Sequence, residues 1–142
     1  MSAAAAAVAV SRAEIVAAAR SYMGVRWHHQ GRTRAGIDCI GLVIAVARDL
    51  GLSTYDITGY SRTPDGVALR RVMAEQLVRV DHMRPGAVLL FSFFGSPLHA
   101  AIVTEPGNMV HAFANARRVV EHRIDAVWRQ RLFSVFDYPG VD

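Results

Sequence analysis

The first regular pattern of apolar and polar positions begins at Ser11-Arg12-Ala13-Glu14. A serine followed three residues later by glutamate satisfies free backbone amides at a helix start. Ile15, Val16, Ala19, Tyr22 and Met23 then recur at helical spacing, and Gly24 ends the run. Residues 25–37 are rich in arginine, histidine and glycine without a sustained period, which predicts a loop. After Asp38, the residues Leu42, Val43, Val46 and Leu50 fall on one helical face with Gly51 as the stop. Cys39 therefore stands in the first turn of a largely apolar helix. A third helix is predicted after Pro64-Asp65, with Leu69, Val72, Met73, Leu77 and Val80 facing inward.

The second half has the pattern of a sheet. Residues 88–94 are nearly continuous in apolar character, as in a strand covered on both faces. Strands over 98–103 and 109–113 flank Glu105-Pro106-Gly107-Asn108, a turn signal that joins them as a hairpin. Residues 118–124 and 132–136 supply two more strands, with a helical turn around Trp128 between them. Helices followed by an antiparallel sheet predict an α+β fold, with residues 1–142 as one domain. The alanine-rich residues 1–10 read equally as a flexible end or an attachment segment. No positive residue precedes their apolar run, so they do not read as a signal peptide, and manufacture in the cytoplasm is expected. No segment approaches the roughly 18 apolar residues of a membrane span.

Composition changes this picture little. A content of 52% hydrophobic and 20% charged residues describes an ordinary globular chain. All 16 basic residues are arginine, and the formal charge of +4 favours approach to an anionic polymer. The arginines are scattered and the aromatics fall at core positions, so no nucleic-acid partner is expected. The single cysteine excludes an internal disulfide and the thiolate sets of zinc fingers.

That cysteine is also the first candidate for chemistry. Free amides and the helix dipole at a helix start favour the thiolate, and with a histidine close by such thiols titrate at about 3.5 to 7.5. Gly41 lets backbone or substrate approach closely there. His99 opens an otherwise small and apolar strand, Ala100 to Val103, and His111 stands in the next one. Whether the two histidines meet depends on loop parity, because strand side chains alternate. An odd loop such as Glu105-Pro106-Gly107 puts His111 opposite Ala101, one diagonal step from His99; an even loop puts them on opposite faces. If they meet, Cys39 is the nucleophile, His99 its base, and His111 the residue that orients the base. Backbone amides at the Cys39 helix start would hold the oxyanion. Arg32, Arg34 and Arg26, in the loop before the nucleophile, are candidates to contact peptide carboxylates. His28, His82 and His122 support no assignment.

These residues resemble the NlpC peptidases, bacterial and phage cell-wall cysteine endopeptidases with a papain-like core. The resemblance is carried by Asp38-Cys39-Ile40-Gly41-Leu42, by Pro85-Gly86-Ala87 before a strand, by His99-Ala100-Ala101-Ile102-Val103, and by Val110-His111-Ala112. It implies Cys39, His99 and His111 as the catalytic trio, no cofactor or metal, and the nucleophile helix packed on a central antiparallel sheet. Asp38 and Trp27 fall at positions the resemblance places near substrate or the oxyanion. Ile40 departs from the usual serine, Ala87 from a common aspartate, and Trp27 from a tyrosine whose hydroxyl helps the oxyanion site. An indole N–H donates a hydrogen bond but cannot accept one.

His29-Gln30-Gly31-Arg32, Trp128 and the closing Phe136-Asp137-Tyr138-Pro139-Gly140 are similar to the phage-tail and gene-transfer-agent branch. That implies a peptidoglycan stem peptide as substrate, cut between D-glutamate and a diamino acid. It also implies tail-tip or hub proteins as partners and a site of action on the cell wall in the periplasm. Two other readings compete: a structural tail-tip assembly protein with little activity, and a zinc site built from Cys39 and two histidines.

Overall fold

The computed structural model describes residues 9–62, 66–93 and 96–141, together with the backbone but not the side chains of Ser96 and Pro97. Residues 1–8 of the N-terminal segment, Pro64-Asp65 and Phe94 lie outside the described residues. Among the described residues, four α-helices, α1 (Arg12–Arg20), α2 (Cys39–Asp49), α3 (Gly66–Gln76) and α4 (Ala126–Arg131), and a short 3-10 turn over Ala114–Ala116 accompany two sheets. The small one is a two-stranded ribbon of β1 (Arg32–Thr33) and β2 (Gly36–Ile37). The large one contains β3 (Val78–Val80), β4 (Val88–Phe93), β5 (Ser96–Glu105), β6 (Asn108–Phe113), β7 (Arg118–Arg123) and β8 (Leu132–Asp137). Its order is β3-β8-β4-β5-β6-β7, antiparallel throughout. This is the expected α+β arrangement, with α2, the helix that begins at Cys39, against a central antiparallel sheet.

Alternation along the strands gives the sheet two apolar faces. Val88, Leu90, Ala100, Ile102, Val110 and Ala112 pack with the buried side chains of α1, α2 and α3. Leu89, Phe91, Ala101, Val103, Met109 and Val135 face the other way, against Trp128 of α4. The second layer is why β4 reads as continuously apolar: its buried residues alternate between two cores. Helix α2 is buried from Ile40 to Ala47, with Gly51 at φ 70° just beyond it.

At α1 both halves of the capping box form, Ser11 Oγ accepting from the Glu14 amide and Glu14 from the Ser11 amide. The helix ends at Arg20, so Tyr22 is buried by the turn that follows while Met23 stands 45% exposed. In α3, Leu69 and Met73 face inward as expected, and Leu77 is buried just past its end. Val80 does not continue that helix. It lies in β3, paired with Val135, because the edge of β8 offers the backbone a ladder there. The expected loop over residues 25–37 contains the β1–β2 ribbon, too short to show a period. No helix among the described residues is long and apolar enough to cross a membrane.

Candidate active site

Helix α2 begins on a carboxylate that four donors hold. Asp38, extended and 4% exposed, caps the helix by accepting the Gly41 amide on Oδ1 at 2.7 Å. The same oxygen takes Arg32 Nη1 at 3.2 Å. Oδ2 accepts the Gln30 amide at 2.8 Å and the Tyr60 hydroxyl at 2.6 Å. Gln30 adopts φ 60°, which turns its amide toward the carboxylate. The loop can pass this close because residue 41 is glycine: a Cβ there would collide with the Gly31 carbonyl. The close approach foreseen at Gly41 is thus made by backbone.

Cys39 follows the cap and is partly exposed. With Trp27, His29, Tyr60, Arg62, Phe93, His99 and others it lines a cleft of about 380 Å³. Burial pushes its thiol up to about 11; the Asp38 carboxylate adds to this, while the amides of Ala100, Ile40 and Cys39 itself pull the other way. This corrects the expectation of a thiol titrating near or below neutrality. The amides of the helix start are present, but the loss of water around the sulfur outweighs them. Near neutral pH the resting group is the thiol.

The histidines approach from the other core. β5 and β6 pair as Ile102↔Val110 and Val103↔Met109, a register that continues to Ala101 beside His111. This is the parity that joins the two histidines. It arises from a tight turn at Pro106-Gly107, where Glu105 pairs with Asn108, followed by an irregularity between Val103 and Glu105. His99 Nε2 and His111 Nδ1 lie 2.6 Å apart. His111 Nε2 in turn lies 2.7 Å from Nε2 of His122, whose Nδ1 is 2.9 Å from the Arg123 carbonyl oxygen. Rings of Phe91, Phe93, Phe113 and Trp128 surround His99 at centroid distances of 5.6 to 6.3 Å. Burial holds His99 down to about 4, with His122 adding to the effect, and His111 down to about 2, with His99 and His122 adding. Both rings are neutral near neutral pH.

Alternation puts His99 on the face of β5 away from α2. It reaches the cleft because the cleft runs round the end of the sheet, lined by both Ala112 and Phe113, successive residues of opposite faces. The amide of Ala100, the residue after His99, favours the Cys39 thiolate, against the effect of burial.

The remaining candidates divide. Trp27 lines the cleft, with the Arg62 guanidinium 5.5 Å from its ring centroid. Asp38 borders it, with both oxygens occupied as described. Arg32 turns inward: it bonds Asp56, Asp38 and the carbonyls of Gly31 and Ile57, and is not among the residues lining the cleft. The reason is electrostatic, since two carboxylates and two carbonyls lie within its reach. Arg34 bonds the Ser21 carbonyl and lies over the Tyr22 ring. Among the described residues no cluster of three or more His, Cys, Asp or Glu is arranged to hold a metal ion. The histidine nitrogens face one another directly, without room for an ion between them. Two residues without an assignment in the sequence join the site, Tyr60 under Asp38 and His122 behind His111. Tyr60 lies in a stretch with no period. His122 was open to the same parity argument that joined His99 to His111.

Comparison with known proteins gives the fold a family. No curated protein matches the chain. Among solved structures, an NlpC/P60 family protein from Bacillus cereus ATCC 10987 superposes with a TM-score of 0.73 at 19% identity, covering 92% of this chain and 41% of its own. The NlpC/p60 domain of the peptidoglycan hydrolase SagA does so at 0.64 and 24% identity, covering 90% of this chain and 99% of its own. The peptidoglycan hydrolase RipB from Mycobacterium tuberculosis gives 0.62 at 19%, covering 88% and 63%. The chain thus spans about two fifths of the Bacillus protein. Residues 24–137, which hold Cys39 and all three clustered histidines, match the family's own pattern, and the chain belongs to the NlpC/P60 family.

Proposed function

We propose that this chain is a cysteine endopeptidase that cuts peptidoglycan stem peptides at the D-glutamyl–diamino acid bond, as part of a phage-like tail or gene transfer agent. One observation carries the reading: a cysteine at the amide-rich start of a buried helix shares a cleft with a neutral histidine whose far nitrogen is held by a second histidine. Cys39 Sγ attacks the scissile carbonyl as His99 takes the thiol proton. His99 then returns that proton to the departing amine, and water releases the acyl group from sulfur. His111 orients the His99 ring. The backbone amides at the start of α2 supply hydrogen bonds to the developing oxyanion. Trp27, His29, Tyr60 and Arg62 border the same cleft, where the substrate peptide would lie.

SagA and RipB are named as peptidoglycan hydrolases, which favours the same polymer here. The tail setting rests on the likeness of His29-Gln30-Gly31-Arg32, Trp128 and residues 136–140 to that branch. These residues are built into the site: Gln30 and Arg32 hold Asp38, Trp128 lies edge-on to His111, and the Tyr138 hydroxyl donates to the Val43 carbonyl of α2. In this reading the protein docks on tail-tip or hub proteins and acts on the cell wall in the periplasm.

The test is digestion of purified peptidoglycan from Gram-negative and Gram-positive sources by wild type and Cys39→Ala, with products read by mass spectrometry. New D-glutamyl and diamino-acid termini from wild type alone support the proposal. Absence of cleavage by a folded wild type favours a structural tail-tip role.

A further inference from the structure

We infer that His122 is a positioning residue: acting through His111, it determines which nitrogen of His99 is free to accept a proton. The inference rests on the reading of Cys39 and His99 as the reacting pair. It starts from three adjacent strands. His111 pairs with Val120 across β6 and β7, so His122 is the diagonal neighbour of His111, as His99 is across β5 and β6. The three rings therefore form one oblique row on one face of the sheet, their nitrogens 2.6 and 2.7 Å apart.

Such contacts are hydrogen bonds only if one nitrogen of each pair carries the proton and the other is bare. With one proton on each of the three rings, the whole row has two arrangements, each the reverse of the other. The end of the row selects between them. His122 Nδ1 lies 2.9 Å from the Arg123 carbonyl oxygen, which can only accept, so Nδ1 carries the proton. His122 Nε2 is then bare and accepts from His111 Nε2–H. His111 Nδ1 is bare and accepts from His99 Nε2–H. The one lone pair left over is on His99 Nδ1, the ring nitrogen turned away from His111 and, in the proposed mechanism, the one that takes the thiol proton.

In the reverse arrangement the His122 lone pair would face the carbonyl oxygen, and His99 would carry its proton on Nδ1, where it blocks attack. His111 cannot choose for itself. It is fully buried, its ring stacked on Phe113 and edge-on to Trp128, and its two nitrogens face only the other two histidines. The backbone of the edge strand β7 thus sets the state of a base two strands away.

The experiment uses the whole chain with His122→Phe, which removes the acceptor, and His122→Gln, whose amide oxygen restores one near the position of Nε2. Long-range proton–nitrogen NMR of the imidazoles reports the His99 tautomer directly. Wild type is expected to show the proton on Nε2, His122→Phe a mixture of tautomers, and His122→Gln the wild-type state. On a soluble stem peptide, kcat of His122→Phe is expected to fall in proportion to the fraction of His99 protonated on Nδ1, roughly two- to tenfold for a mixture, with KM nearly unchanged. His122→Gln recovers most of it. Thermal melts of each variant check the fold. A wild-type His99 protonated on Nδ1 overturns the inference without any variant, as does an unchanged tautomer in folded His122→Phe. A wild type that cleaves nothing defeats the peptidase reading, and the tautomer spectra still decide the role of His122.

Discussion

Lowering the pH should destabilise this fold well before its carboxylates begin to titrate. His99 is 8% exposed and His111 fully buried, and burial holds them down to about 4 and about 2. In the unfolded chain a histidine titrates near 6.5, so as pH falls the unfolded state takes up protons that the folded state refuses. The stabilisation is complete above about pH 6.5 and declines below it, by about 1.4 kcal/mol per pH unit for each histidine. Two such groups remove about 4 kcal/mol between pH 8 and pH 5. That is a large share of the roughly 5 to 15 kcal/mol that holds an ordinary domain together. Aspartates and glutamates, which titrate near 4, add little in that window. Urea unfolding at each pH from 8 to 5 gives the curve directly. His111→Gln removes one of the two groups and should halve the slope, whatever it does to stability at pH 8. A flat curve in wild type, or an unchanged slope in the variant, would show that these rings are not held neutral by burial.

Four further outcomes are expected. Gly41→Ala drives a methyl into the Gly31 carbonyl, and because backbone cannot swing aside, the urea midpoint should fall by the equivalent of about 3 kcal/mol. Tyr60→Phe removes a hydroxyl donor from the buried Asp38 carboxylate and should cost about 1 to 3 kcal/mol by the same measurement. Arg12 and Asp137 form a two-bond ion pair of 2.7 and 3.0 Å with both side chains largely buried. Arg12→Met should therefore cost about 3 to 5 kcal/mol, and a double variant that also replaces Asp137 with leucine clearly less. For activity in the proposed mechanism, His99 must be neutral and Cys39 protonated before attack. The acid limb of kcat/KM should lie near pH 4 rather than 6.5, with no loss from thiol ionisation until about pH 11.

What could be read from the chain was what local spacing encodes. The capping box at Ser11, the apolar face after Asp38 and the alternation through His99 and His111 are signals within a few residues of one another, and each produced the element expected of it. Val80 failed for a non-local reason. Its spacing suits the end of a helix, but the free edge of β8 lies beside it only after the chain has folded. The electrostatics failed in the same way. Arg32 lies in a loop before a nucleophile, which suggests substrate, yet Asp56, Ile57 and the Asp38 carboxylate close around it. The cysteine at a helix start suggested an acidic thiol, and the protein packed around the sulfur reversed it. Sequence shows which group could donate a bond. Only the fold shows how much water that group has lost.

That loss of water bears on why the row of histidines matters. If Cys39 and His99 rested as thiolate and imidazolium, both His99 nitrogens would carry protons and no tautomer would need choosing. Burial pushes the thiol up and the imidazole down, so the resting pair is neutral and the proton must cross as sulfur attacks. A neutral imidazole has one bare nitrogen, and in the wrong tautomer that nitrogen faces His111 and is not free to take a proton from the thiol. A buried neutral base therefore needs its tautomer set from outside, and the row through His111 and His122 to the Arg123 carbonyl reaches a group whose role cannot reverse.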